Sequence, residues 1–359
     1  MLTHSQTKFL LLASHSKNNP DNPFSNMPKE VIRNIKYLPN PDPDFLDALK
    51  ETTDGQLKEL RDRLQKAKSD PVKLKSLLLQ AGDVTTPGGL EVRGTTLLEC
   101  AIGSGDPEIV ALIKPYFLEF EEGVEEREIQ LERYRHCIEE IDTQKPDDLT
   151  WLIDIIKASS LEDVRAELAT GDNYNYDPNY KEGNSPLRNA LNKFRQEKLD
   201  PKHRIIDKPR MHCNYQNLIH AYEILHAEWN KLIVNDSYNK HYLISLQIIG
   251  LIQLLELPAY ERYVSARGQI DDAIAGKEIE RSLACLYGSN GSFPNVDINL
   301  INGRTGVGFN SYISIYGAGR CARIDRAASH SSTLQNLCQT KTSSLQNLCS
   351  ALERKHPRV

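Results

Sequence analysis

At 359 residues the chain is long enough for two or more compact units with real cores. Its 39% hydrophobic and 26% charged residues describe a soluble, rather polar globular protein. A net charge of −5, from 49 acidic and 44 basic side chains, argues against a general nucleic-acid binder. Seven scattered cysteines without a CxxC pair read as reduced thiols of a cytosol-like compartment, not a disulfide framework.

Near the N-terminus the apolar run Phe9–Ala13 is shorter than a secretory h-region, so no cleaved signal peptide is expected. Met27, Val31, Ile35 and Leu38 suit a short amphipathic helix. Residues 1–53 are therefore read as an N-terminal segment with short helices. From Asp54 onward the pattern becomes one of helix pairs. RDRLQKAKSDPVKLKSLLLQAG (Arg61–Gly82) breaks at Asp70-Pro71, and RGTTLLECAIGSGDPEIVALI (Arg93–Ile113) breaks at Gly-Ser-Gly before Asp106-Pro107. DLTWLIDIIKASSLEDVRAELATG (Asp148–Gly171) spaces Ser159 and Glu162 as a capping box. In EGNSPLRNAL, Ser185 stands as N-cap with Pro186 at the first helical position.

Taking Arg61, Thr96, Thr150 and Ser185 as equivalent gives intervals of 35, 54 and 35 residues. Two intervals are close to a repeat of about 33, and the middle one needs an insertion of roughly twenty residues. The glutamate-rich stretch Phe117–Ile141 supplies it, read as an exposed, ion-paired extension of the second helix: either a solvated face or a docking surface.

Beyond Leu199 the periodicity changes. Leu218, Tyr222, Leu225 and Trp229 form one stripe over Asn214–Ile233, and Tyr242–Leu257 reads as a buried helix too short and too polar to span a bilayer. Ala259–Leu286 offers a third helix, interrupted at Gly276. Phe293–Gly319 alternates around Asn302-Gly303 and predicts a small hairpin or an irregular loop. STLQNLC and SSLQNLC, eleven residues apart, predict two short capped helices. As a single helix they would hold Cys338 and Cys349 about 16 Å apart, too far for a disulfide.

His203, His212, Cys213, His220 and His226 fall within 24 residues but lack the paired close spacings of structural zinc, so no metal is expected. GRTGVGF and GAGR match no phosphate-binding fingerprint, and no cofactor is expected. Cys285 and Cys321, beside the glycine-rich stretch, are either small buried hydrophobes or nucleophile candidates awaiting a spatially adjacent histidine.

Thr96-Leu97-Leu98-Glu99-Cys100-Ala101 followed by Gly105-Asp106-Pro107-Glu108-Ile109-Val110, together with Thr150–Leu168 and Ser185-Pro186-Leu187, resembles the ankyrin repeats. Trp151 departs from the pattern by standing where the family has proline. The resemblance covers about Arg61–Leu199, and implies a mainly all-α fold with a short ankyrin stack over 54–199, carrying its helical insertion at 117–141. An α-rich C-terminal domain follows over 200–359. The HAYEILHAEW, IGLIQLLELPA and LCQTKTSSLQNLC stretches loosely resemble the C-terminal module of effectors secreted by vacuole-dwelling bacterial pathogens. This implies type IV translocation into a host cytoplasm and a host protein as partner; the charge balance and the short, polar 242–257 segment add the expectation of no nucleic acid and no integral membrane association. Asn26–Asp42 faintly resembles the opening of an F-box, which would make the chain a ubiquitin-ligase adaptor.

The leading expectation is a non-enzymatic interaction scaffold. Ankyrin stacks bind through their tips and the open side of their first helices, which singles out Glu99, Arg188 and the tip Asn173-Tyr174-Asn175-Tyr176 as partner-binding residues. The two tyrosines are either interface anchors or packed on the loop at Tyr180. The rival class is an enzyme with a cysteine-based site in the C-terminal half.

Overall fold

The computed structural model describes residues 42–170, 185–235, 237–260, 263–264, 270–281 and 324–350. Over these the protein is mainly α-helical, with one small three-stranded sheet. The helices begin where capping chemistry allows. Asp42 accepts from Asp44 N at 2.9 Å and Pro43 opens helix α1 (Pro43–Thr53), whose Phe45, Ala48, Leu49 and Thr52 form a buried stripe. Gly55, at φ 68°, makes the turn into α2 (Leu57–Ala67). Asp70 accepts from Val72 N and Lys73 N to start α3 (Pro71–Leu79).

Between the first two helix pairs the chain forms an antiparallel hairpin, β1 (Gly82–Thr85) and β2 (Glu91–Thr95). From sequence it reads only as an extended polar tip, because Val84 and Val92 are the only buried apolar side chains of two such short strands. The hairpin expected at 293–319 lies outside the described residues.

The second pair begins with a complete capping box at α4 (Leu97–Gly103): Thr96 Oγ1 accepts from Glu99 N, and Glu99 Oε2 accepts from Thr96 N. Asp106 then caps α5 (Pro107–Ile113) through Glu108 N and Ile109 N. α2 packs on α3 and α5, and α4 on α3 and α5, so these two pairs stack.

The acidic stretch corrects the sequence expectation. After a 3-10 turn at Lys114–Glu119 it forms a separate helix, α6 (Gly123–Glu139), rather than an exposed extension of α5. Arg127, Gln130, Leu131, Tyr134, Cys137 and Ile138 recur at helical spacing among the glutamates, and this face is buried against α4.

α7 (Thr150–Ala158) and α8 (Leu161–Thr170) follow, with α9 (Pro186–Leu199) packed on both. The cap between α7 and α8 sits one residue later than expected. Ser160 exchanges bonds with Asp163, at 3.0 and 2.7 Å, while Ser159 Oγ turns back to the Ile155 carbonyl. Ser185 caps α9 through Arg188 N at 3.1 Å, as its sequence predicts. Past α9, β3 (Ile205–Ile206) pairs in parallel with β2.

α10 (Tyr215–Ala227) and α11 (Trp229–Leu232) bury the stripe Leu218, Tyr222, Leu225 and Trp229. The buried helix expected at 242–257 is present in three parts: α12 (Asn239–Leu243), a π-helical stretch at Ile244–Ile249, and α13 (Gly250–Glu256). In the π stretch Gln247 Oε1 accepts from the fully buried Arg195 at 3.0 Å. A short α14 (Ile270–Ile274) ends before Gly276, at φ 70°.

The C-terminal echo is one helix, α15 (Ile324–Ser350), rather than two. The linking Gln339-Thr340-Lys341-Thr342 contains no breaker. Eleven residues are close to three turns, so Leu334 and Leu345 lie on the same buried face. α15 packs on α5 and α6 from one side of residue 200 and on α10 and α14 from the other, within one continuous apolar cluster. None of the helices among the described residues is long and apolar enough to cross a membrane.

Arg281 ties these parts together. Its guanidinium donates to Asp106 Oδ2 at 2.7 Å and Oδ1 at 3.0 Å, to Glu108 Oε2 at 2.8 Å and to the Gly55 carbonyl at 2.8 Å. Burial by itself would raise the Asp106 carboxyl, but Arg281 outweighs it and the pKa is lowered. Asp106→Asn, which keeps a capping side chain, is therefore expected to cost about 1.5–3 kcal/mol in urea unfolding by leaving the buried guanidinium with Glu108 as its remaining carboxylate. Adding Arg281→Met should recover part of that loss.

Candidate functional site

An open cleft of about 820 Å³ lies where the loop before α7, the last turn of α9, the stretch around β3 and the end of α13 converge. Its apolar lining includes the buried Leu149, Phe194, Ile206, Met211 and Leu255. Half-buried Trp151 also lines it, with Lys193 Nζ 4.7 Å from its ring centroid.

A polar lock fixes the walls. Lys198 Nζ donates to Asp147 Oδ2 at 2.6 Å and to Glu256 Oε1. Asn217 closes the ring by donating to Glu256 Oε2 at 2.7 Å and accepting from Asp147 N at 2.7 Å. Burial would lower Lys198, but Glu256 and Asp147 more than offset it and its pKa is raised. The lock thus joins the α7 loop, α9, α10 and α13. Arg204 donates to the Gly88 and Lys198 carbonyls, bringing the β1–β2 turn to the same place. Gly88 is required there, since a Cβ would fall 2.3 Å from the Leu255 carbonyl oxygen.

His212 lines the cleft from a buried position. Its backbone N donates to the Gly103 carbonyl at 2.8 Å, and neither ring nitrogen has a hydrogen-bond partner among the described residues. Burial, with a smaller contribution from Arg210, pushes its pKa down to about 3. The ring is wedged against the end of α4, where a Cβ on Gly103 would come within 2.3 Å of Nε2.

The residues singled out from sequence are placed differently. Glu99 is a correction: it is 1% exposed, and besides its cap its Oε1 accepts from Arg133 Nη1 at 2.5 Å. α6 packs on α4, and the buried Glu99 side chain is not exposed to a partner. Arg188 is half-buried and donates through Nε to Glu167 Oε1 at 2.7 Å, away from the cleft lining. The tip Asn173–Tyr176, the thiols Cys285 and Cys321, and the Met27–Leu38 helix lie outside the described residues. His203 and Cys213 both line the cleft, and His220 sits 3.9 Å from Glu223. Among the described residues no group of three His, Cys, Asp or Glu side chains could hold a metal ion.

Three thiols away from the cleft lining are poor nucleophiles. Burial pushes Cys100 up to about 12 and Cys349 up to about 11, and it also raises Cys137. The lock itself was missed from sequence because its members are spread over residues 147–256. Trp151 alone carried a signal, as a departure from the repeat pattern.

Compared with protein-family models, curated proteins and solved structures, the chain matches none.

The geometry of His212 sets a pH dependence. The unfolded chain binds a proton near pH 6.5, whereas the folded chain resists it until about pH 3. Stability present above pH 6.5 is lost as pH falls, by about 2 kcal/mol between pH 7 and pH 5. Urea titrations at the two pH values should show this difference, and His212→Phe should shrink it. Gly103→Ala should destabilise at both pH values by about 1–3 kcal/mol.

Proposed function

We propose that the chain is a protein–protein interaction scaffold, with helix pairs stacked in the ankyrin manner and a cleft that receives a segment of its partner. The observation that carries this reading is the open cleft of about 820 Å³, whose walls are fixed by the Lys198–Asp147–Glu256–Asn217 ring. Its size lies within the usual ligand-pocket range of about 300–1,000 Å³. An apolar floor, an aromatic residue and a charged surround are the composition of an interface core with its rim. Preorganised walls reduce the ordering cost of binding.

Further support comes from the pairs α2–α3 and α4–α5, which stack as repeats do, and from α9 packing on α7 and α8. The resemblance to translocated effectors supplies a setting in which such a scaffold would meet a host protein. The tip Asn173–Tyr176 stays in this reading as a further contact, argued from sequence alone.

One observation favours a second reading: Cys213 and His203 line the same cleft, as a cysteine-based enzyme would need.

Selection of random linear peptides against the full chain, followed by affinity measurement, separates these. Trp151→Ala is expected to weaken the selected peptides by at least about tenfold, as loss of an aromatic anchor does, in a chain that still shows the wild-type helical circular dichroism. Cys213→Ala should leave their affinity intact. Peptides indifferent to Trp151 would overturn the cleft as the docking site. A bound peptide that is cleaved or modified only while Cys213 is present would install the enzyme reading instead.

A further inference from the structure

Which charges in the cleft are already committed indicates what its occupant must carry. All four lining carboxylates are engaged. Asp147 and Glu256 share Lys198, Asp148 accepts from Thr150 N at 2.9 Å at the start of α7, and Glu197 pairs with Lys193 at 3.9 Å. The lining cations other than Lys198 are not matched in this way. Among the described residues Arg204 donates only to backbone carbonyls, and although it feels the field of Glu256, the two form no ion pair. Among the same residues Arg210 makes a single long contact, 3.4 Å, to the Ile205 carbonyl. The exposed Lys145 side chain has no acceptor among the described residues.

An incoming cation would have to break the Lys198 ring to find a carboxylate. An incoming carboxylate finds two guanidinium groups whose planar forks suit it and whose five N–H donors exceed the bonds they make to carbonyls. The space is also far larger than a single small anion fills, and its floor is apolar.

We infer that the occupant of the cleft is an acidic polypeptide segment, with carboxylates flanking a large apolar side chain. This rests on the scaffold reading above. The apolar side chain lies on the floor beside Phe194 and Leu255 and against Trp151, and the carboxylates meet Arg204, Arg210 and Lys145. The charges govern choice of partner and association rate, while the floor supplies burial.

The test uses the full chain and three labelled synthetic peptides built on one tryptophan-leucine core, flanked by aspartate and glutamate, by serine and glutamine, or by lysine. Fluorescence anisotropy should show the acidic peptide binding at least about tenfold tighter than the other two, with the preference falling as salt rises. Lys145→Glu/Arg210→Glu, at two exposed positions, should abolish that preference without changing the thermal melt. Equal affinity for all three peptides, each weakened by Trp151→Ala, would sink the acidic assignment and leave the cleft reading standing. Peptides that ignore Trp151 and both basic positions would sink the two together. Full displacement of the acidic peptide by inorganic phosphate at equal ionic strength would point to a small-anion site and overturn the proposal.

Discussion

Asp106 holds two jobs whose requirements coincide. As N-cap it presents an oxygen to the first turn of α5, and as counter-ion it must meet Arg281 from a segment 175 residues away. Either job alone would leave a buried charge poorly served; together they give the carboxylate a full set of donors. The guanidinium is likewise shared among Asp106, Glu108 and the carbonyl at the α1–α2 turn, and it stacks 5.3 Å from the Tyr260 ring. Lys341 of α15 lies 3.7 Å from the same ring centroid. One buried ionic centre thereby brings together α1, α5, the end of α13, the segment after α14 and α15. The C-terminal half cannot be lifted off the first helix pairs without exposing it.

This arrangement changes what the helix pairs can do. In a simple stack the first helices would line an open side. Here α6 and α15 occupy the space beyond the second pair, so the buried side of α4 offers nothing to a partner. The available concavity moves to the junction of the third pair, α9 and the stretch that carries β3. That junction is polar at its rim because loop and helix ends meet there, and each end brings carbonyls or N–H groups that need partners.

Local chemistry was the most readable part of the sequence. Asp70-Pro71, Asp106-Pro107 and Ser185-Pro186 each start a helix as their sequence predicts, since capping involves only neighbours in the chain. What failed depended on distant partners. Glu99 looked like a surface charge until Arg133 of the insertion met it. The acidic stretch looked solvated because its glutamates outnumber the apolar face that packs on α4. The two serine-capped echoes of the C-terminus read as separate helices, although three turns separate them and a common face holds them in one rod. The cleft was almost invisible, because its ring draws one residue from each of four elements.

The π-helical stretch at Ile244–Ile249 has a consequence for that ring. A π turn accommodates a residue beyond what an α-helix would hold, and each α-helical residue turns the face by about 100°. Everything after Ile249 is therefore rotated in phase relative to what precedes it. α12 faces α8, while α13 turns Glu256 toward Lys198 and lays Leu255 along the cleft floor. Arg195, buried beside the irregular turn and bonded to Gln247, occupies the place where that change of phase is made. The helix thus serves two surfaces that a regular helix of the same sequence length could not serve together, and the orientation of the acidic wall is written into its winding.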